Sequence, residues 1–433
     1  MLLIFCHKET PRITYTFSFC LQNLKTDWEV TDNIERYTKH DGASLNYSPE
    51  KIKSGEIHIC PHRIMTTDVI TALDEAILEY KNIKVLFPTS SGTIPFDLFA
   101  NVFFHLSRYE EYLPFEEDEH NRFSSKQSWL FRTKQLETAP VDQLCKVLEE
   151  LLSSRYDLKF NQPKATALLT IDLDNAYAFK GKGVLRNTAG LIKDGVRFSK
   201  TFQSRCSTLF RSGQDPYDSY DYQLEMAKKL QIKLIYFILL GDYSKYDKNL
   251  SWKSKAIRQL IHFLKKKASI GIHPSYGSFL KPSQLKKETK RLKFLKDSKV
   301  TKSRNHYLRF RIPNTYEVLL EDGIEEDYSM GYADTVGFRA GTTRPFPFFN
   351  LKHNTATELM IYPITFMDGT LHEHMGLSIE EAKQKISELY ATVQQHGGCF
   401  VALWHNDTLA EANHWKGWRE VFEWGLTLTN QHK

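Results

Sequence analysis

Two carboxylates, Asp172 and Asp174, close an apolar run, ALLTIDLDNAY, at residues 167–177. On an extended strand, residues two apart point the same way, and like charges that close raise one another's pKa unless a cation lies between them. Such a pair suits a metal ligand beside a general base. The plain alternative is a loop-start Asp followed by a helix cap.

Six further apolar runs also end on polar groups: Asp242, His273, His306, Arg339, Asp368 and His405. Asp and His ligands around an open coordination position form the pattern of a catalytic divalent metal, zinc by preference. Asp174 and His273 are the first candidate ligands. His306 is the leading third ligand, with Asp368 and His405 behind it. Asp172 is then available as the base, and His405 can protonate a leaving group, because an imidazole titrates near neutral pH. Arg304 and Arg339 can orient the base or stabilise a developing oxyanion. Each imidazole taken alone is more often a hydrogen-bonded structural residue, but the shared position at run ends favours function for the set.

The runs that carry these groups are ALLTID (167–172), KLIYFILLGD (233–242), SIGIHPSYGS (269–278), SKVTKSRNH (298–306), TVGFRAGT (335–342), ELMIYPITFMD (358–368) and CFVALWHND (399–407). Helical spacing separates several of them: from about Asp218, over 254–268, over TYEVLLEDGI with Gly323 at its exit, and over SIEEAKQKISELYATVQQHG. Seven strands alternating with helices or long loops predict a parallel α/β barrel or doubly wound sheet, and in a barrel the strand ends meet at one mouth. Residues 1–160 precede this region as a smaller α/β domain. Alternation predicts strands at 13–19, 44–48, 56–62 and 82–88, and helical spacing covers 68–80. Phe96, Phe99, Ala100, Phe103, Phe104 and Leu106 predict a core helix ended by Pro114, with RYEEY as its salt-bridged end. No chemistry is evident in that block.

The chain has 433 residues, enough for two domains, and 41% hydrophobic with 25% charged residues is a globular balance. Much of the net charge of +6 falls in 281–302, which reads as the solvated face of a helix with Leu285, Leu292 and Leu295 inward, so nucleic acid is not an expected partner. Six scattered cysteines without a CxxC pair suggest reduced thiols. MLLIFCHKE is too short for a signal peptide or a membrane span, so the cytoplasm is the expected compartment.

Residues 166–408 resemble the polysaccharide deacetylase (NodB-homology) superfamily. TIDLDN is similar to its first motif, Thr-Phe-Asp-Asp-Gly. GIHPSYGS is similar to its second, His-Ser/Thr-x-x-His, and WHND to its fifth. SRNHYLRF and GFRAGT are both weak counterparts of its Arg-Pro-Pro-Tyr-Gly turn. Strand order favours Arg304 for that turn, and sequence look favours Arg339. The resemblance implies a distorted seven-stranded (β/α) barrel at 161–433 that removes N-acetyl groups from a carbohydrate through a metal-activated water. It implies Asp172 as base, Asp174 and His273 as ligands, and His405 as acid. Pro274 replaces the Ser/Thr, and Gly277 stands where the second ligating His belongs, so His306 is needed to restore the triad. The whole chain, with its extra N-terminal block, also resembles a bacterial deacetylase-like group.

Aromatic residues at Tyr217, Tyr276, Tyr307, Phe346, Phe348 and Trp404 suit a sugar site near the mouth. A second hypothesis keeps the barrel but not the activity, as a carbohydrate-binding or assembly protein. A metal-free glycosidase using Asp172 and Asp174 is weaker, since that chemistry needs carboxyl groups at least about 5 Å apart on opposite sides of the sugar.

Overall fold

The computed structural model describes residues 1–73, 76–196, 200–211 and 213–430. The chain divides into two compact units. Met1–Ala165, Gly337–Pro363 and Thr392–Gly398 form the first, and Thr166–Val336, Ile364–Ala391 and Cys399–Lys433 form the second.

In the first unit, four parallel strands lie in the order Trp28–Thr31, Leu2–Cys6, Ser44–Tyr47, Ile57–His58. The strand expected over 13–19 is instead the helix Pro11–Cys20. Alternating apolar residues mislead there because Arg12, Thr16 and Cys20 are buried as well as Ile13, Tyr15, Phe17 and Phe19. The start signal decides the matter: Thr10 accepts a hydrogen bond from Ile13 N, and Pro11 occupies the first turn. Helix Leu98–Leu106 is buried along its whole length and capped by Asp97, whose Oδ1 accepts from Ala100 N at 3.0 Å. Phe17, Tyr47 and Phe99 pack ring against ring at 4.6–5.4 Å between these elements.

The helical spacing at 68–80 does not become a helix among the described residues, and Asp74 and Glu75 lie outside them. Leu78–Tyr80 pairs antiparallel with Ile83–Val85. Between them Lys81 and Asn82 both take positive φ, the turn that matches the twist of a tight hairpin. The expected strand at 335–342 is also absent. Gly337 and Gly341 adopt left-handed φ of 109° and 67°, and Phe338 N and Val141 N bond Leu136 O and Gly341 O in a loop. The run at 358–368 splits at Pro363, so that Thr355–Ile361 pairs antiparallel with Phe346–Asn350 in this unit while Phe366–Met367 belongs to the other.

The second unit is built on seven strands in the order Glu326–Asp327, Lys302–Ser303, Ser269–His273, Lys233–Leu239, Thr166–Leu173, Cys399–His405, Phe366–Met367. Every neighbouring pair is parallel. The fifth strand in chain order, Glu326–Asp327, takes the place expected of 335–342. Parallel strands buried on both faces need continuous apolar runs, and Lys233–Leu239 is buried at six of its seven positions. Helices Tyr220–Lys229, Lys255–Leu264, Pro282–Lys296, Asn314–Glu321 and Ile379–His396 intervene. Lys255–Leu264 turns Ile257, Leu260, Ile261 and Leu264 inward. Pro282–Lys296 buries Leu285 and Leu292 and leaves Leu295 half-buried beneath its lysines.

Register then sets the chemistry. Asp172 lies opposite His405, and Leu239 lies opposite His273, so the carboxyl ends of these strands form one row. None of the described helices is long and apolar enough to cross a membrane.

Candidate metal centre

Asp172 is buried at the carboxyl end of the Thr166–Leu173 strand. Arg304, fully buried just past the Lys302–Ser303 strand, donates from Nη1 to its Oδ1 at 3.1 Å. The other guanidinium donors fix that arginine in place: Nη2 bonds Thr170 Oγ1 at 2.7 Å and Nε bonds Tyr328 O at 3.0 Å, above the Phe237 ring. Two residues on, where the strand has ended, Asp174 faces the imidazoles. Its Oδ1 lies 3.2 Å from His273 Nε2, and its Oδ2 lies 3.2 Å from His306 Nε2 and 3.9 Å from His405 Nε2. Asp172 Oδ2 is 3.6 Å from His273 Nε2.

The tautomers follow from the opposite side of each ring. His273 Nδ1 meets the carbonyl oxygen of Arg304 at 2.5 Å, and a carbonyl only accepts, so Nδ1 carries the hydrogen. His306 Nδ1 meets Asp247 Oδ1 at 3.0 Å and donates to it. Each ring, when neutral, therefore turns an Nε2 lone pair toward the lone pairs of Asp174. Asp174 Oδ1 and His273 Nε2 are buried with no hydrogen-bond partner among the described residues. Acceptors facing acceptors in a buried pocket call for a cation between them.

The distances fit one. Ligand atoms of Asp174, His273 and His306 lie within 4.8 Å of one another. Donors about 2.0–2.1 Å from a tetrahedral ion are separated by about 3.4 Å, close to the 3.2 Å contacts here. The charges agree. Burial raises the Asp174 carboxyl, but His306, His273 and His405 outweigh it and hold it well below the usual range. Burial lowers His306, yet Asp174 and Asp247 overcome this and bring it to about 9, so the pocket draws positive charge.

The remaining sequence candidates separate clearly. Asp368 is not beside the imidazole pair as a ligand but behind His405. It accepts from His405 Nδ1 and His405 N, both at 2.8 Å, and from Thr408 Oγ1. Burial lowers the His405 imidazole, and Asp368, Asp174 and Asp172 more than offset this, raising it well above its ordinary value. Asp242 pairs with Lys287 and Arg291 at the surface. Arg339 is committed within the first unit, where Nε and Nη2 bond Glu111 at 3.0 and 2.7 Å, so orientation of Asp172 falls to Arg304.

Among the aromatics, Trp404 is a core residue, and Phe346 and Phe348 belong to the first unit. Tyr276 and Tyr307 do face the rim, packed at 5.3 Å with Tyr246, 4.1 Å from Tyr276. Tyr307, whose ring touches His306 at 4.7 Å, takes a left-handed φ of 62°, and the next residue, Leu308, has 49°. Consecutive left-handed residues without glycine are strained and gather at functional loops. Asp247 was missed by sequence reasoning, because it lies in a loop beyond the end of its strand, where no apolar pattern marks it.

Residues 2–157 match a family described as "Family of unknown function (DUF7033)". No curated protein matches the chain. Among solved structures, a Mycobacterium smegmatis protein assigned to the polysaccharide deacetylases aligns with 60% of this chain and 84% of its own, at 13% identity and a TM-score of 0.40. The polysaccharide deacetylase Bc1974 from Bacillus cereus aligns over 61% and 87%, at 11% identity and a TM-score of 0.28. A CE4 family pseudoenzyme from Bacillus anthracis aligns over 63% and 62%, at 12% identity and a TM-score of 0.32.

Proposed function

We propose that this chain is a metal-dependent hydrolase that removes an N-acetyl group from a carbohydrate, with zinc held by Asp174, His273 and His306. The observation that carries the reading is the set of buried lone pairs directed at one point by those three side chains. The motif resemblance at 170–175, 271–278 and 404–407 supports an acetamido sugar as the substrate class. The seven parallel strands, ordered with the fifth and sixth at opposite edges, suit an open barrel.

A divalent ion in this cluster would supply Lewis acidity to the acetamide carbonyl and acidity to a water. Asp172, oriented by Arg304, is placed to take the proton from the attacking water. The Arg304 guanidinium keeps the carboxylate in one rotamer while Thr170, through its bond to Ala402 O, keeps the guanidinium in place. His405 holds a proton on Nδ1 for Asp368 and directs Nε2 toward the ligand cluster, so it can deliver a proton to the departing amine nitrogen. The role of the N-terminal region, residues 1–160, is left to substrate access or packing, and the compartment we favour is the cytoplasm.

The test is direct. Chelator-stripped protein reloaded with zinc should release acetate from oligomers of N-acetylglucosamine, and stripped protein should not. Full zinc occupancy without acetate release from any N-acetylated sugar would defeat the hydrolase and favour a carbohydrate-binding protein.

A further inference from the structure

Asp247 is almost completely buried, yet it lies in a loop, past the end of the Lys233–Leu239 strand. Its carboxylate gathers donors from three loops. His306 Nδ1 and Tyr276 N reach Oδ1 at 3.0 and 2.8 Å, while Gly277 N and Ser244 Oγ reach Oδ2 at 3.3 and 2.9 Å. Ser244 closes its own loop by bonding back, its N to Asp247 O at 2.9 Å and its Oγ accepting from Asp247 N at 3.0 Å. The loops that follow three adjacent parallel strands thus meet on one side chain.

We infer that Asp247 is the positioning residue that makes His306 a metal ligand, by fixing its tautomer and ring orientation from behind. The inference rests on the metal reading given above. With Nδ1–H bound to a carboxylate, only Nε2 is left as a lone pair, and that atom is the one 3.2 Å from Asp174 Oδ2. A ring flip would forfeit the Asp247 bond and turn carbon toward Asp174. His273 is held differently, by the backbone carbonyl of Arg304, which no substitution at 247 removes. A carboxylate partner also makes an imidazole a better donor to a metal than a carbonyl does. Loss of Asp247 should therefore weaken His306 and spare His273.

The experiment is a zinc titration of the stripped full-length chain against a competing chromophoric chelator, in the wild type, Asp247→Ala, Asp247→Asn, His306→Ala and the Asp247→Ala/His306→Ala pair. Asp247→Ala should raise the zinc Kd about 10–100-fold. Asp247→Asn should raise it less, because its amide oxygen can still accept from Nδ1. In the His306→Ala background, Asp247→Ala should add no further loss. Selective ¹⁵N-histidine spectra of the stripped protein, recorded at a pH where the ring is neutral, should show His306 as the Nδ1–H tautomer in the wild type and as a mixture in Asp247→Ala. Should Asp247→Ala misfold, the Asn variant and its pair with His306→Ala carry the same test. An equal loss with and without His306, or an unchanged Kd in a variant that folds, overturns the inference while zinc uptake by the wild type leaves the metal reading standing. A wild type that takes up no zinc overturns both.

Discussion

Both units bury carboxylates, but Asp174 of the second is met in the opposite way to Glu111 and Asp142 of the first. In the first, Glu111 receives Arg108 Nε and Arg339 Nε on one oxygen and Arg339 Nη2 on the other. Asp142 receives Thr342 Oγ1, Thr343 N, Thr343 Oγ1 and Arg344 Nε. Every contact there pairs a donor with an acceptor. Burial pushes the Glu111 carboxyl up, and Arg339 and Arg108 together bring it below its ordinary value. In the second unit, Asp174 meets imidazole nitrogens whose hydrogens lie on the far side of their rings. Buried charge by itself does not mark a site. Buried acceptors that converge without donors do.

That contrast can be broken at several points. The greatest effect belongs to the ligands: Asp174→Ala, His273→Ala and His306→Ala should each reduce zinc content below stoichiometric by elemental analysis, whereas Asp172→Asn should keep the metal and lose about 10²–10⁴-fold in acetate release. Equal metal loss in all four would show that the two acids do not divide the work. His405→Ala should cost turnover in the same broad range with zinc retained, and a lost ion there would make His405 a ligand instead. In the other unit, Glu111→Gln strands buried guanidinium charge and should cost about 3–5 kcal/mol in denaturant unfolding. Zinc content should not change, and if it does, the two clusters are not independent.

The smallest effect is a pH dependence in the first unit. Burial, aided by Arg108, lowers the His105 imidazole to about 3, and its Nδ1 has no hydrogen-bond partner among the described residues. The unfolded chain would protonate this residue near pH 6.5, so its contribution to stability is complete above that value and is lost as pH falls toward 3. The slope is about 1.4 kcal/mol per pH unit at most. Melting temperatures of the wild type and His105→Phe, compared between pH 7 and 4.5, should diverge on acidification, with the wild type losing more. Parallel curves would mean that the ring is already solvated.

These residues also show why some parts can be read from the chain and others cannot. Thr166–Leu173 and Cys399–His405 are legible because a strand covered on both faces must be apolar throughout and must stop where polarity begins, at Asp172 and His405. Glu326–Asp327 is two residues long and polar, held by its neighbours rather than by its own pattern, so no local signal reveals it, whereas the equally short Lys302–Ser303 falls within the run at 298–306. The Pro11–Cys20 helix has an alternating pattern that only its cap contradicts. Arg339 carries the more motif-like surroundings, GFRAGT, and Arg304 makes the bond to Asp172, a choice settled by which loop follows which strand. Asp247 depends on three chain segments meeting, which is a tertiary fact.

Asp174 and His306 are 132 residues apart in the chain, and one ion gripping both would act as a removable clasp on everything threaded between them. A ligand that binds only the folded form, present at about a thousand times its Kd, adds about 4 kcal/mol. The same polypeptide would then exist in a firm and a slack condition according to its zinc supply. Starvation for the ion would show first as sensitivity to proteases between those two positions, before any change in how much protein is made.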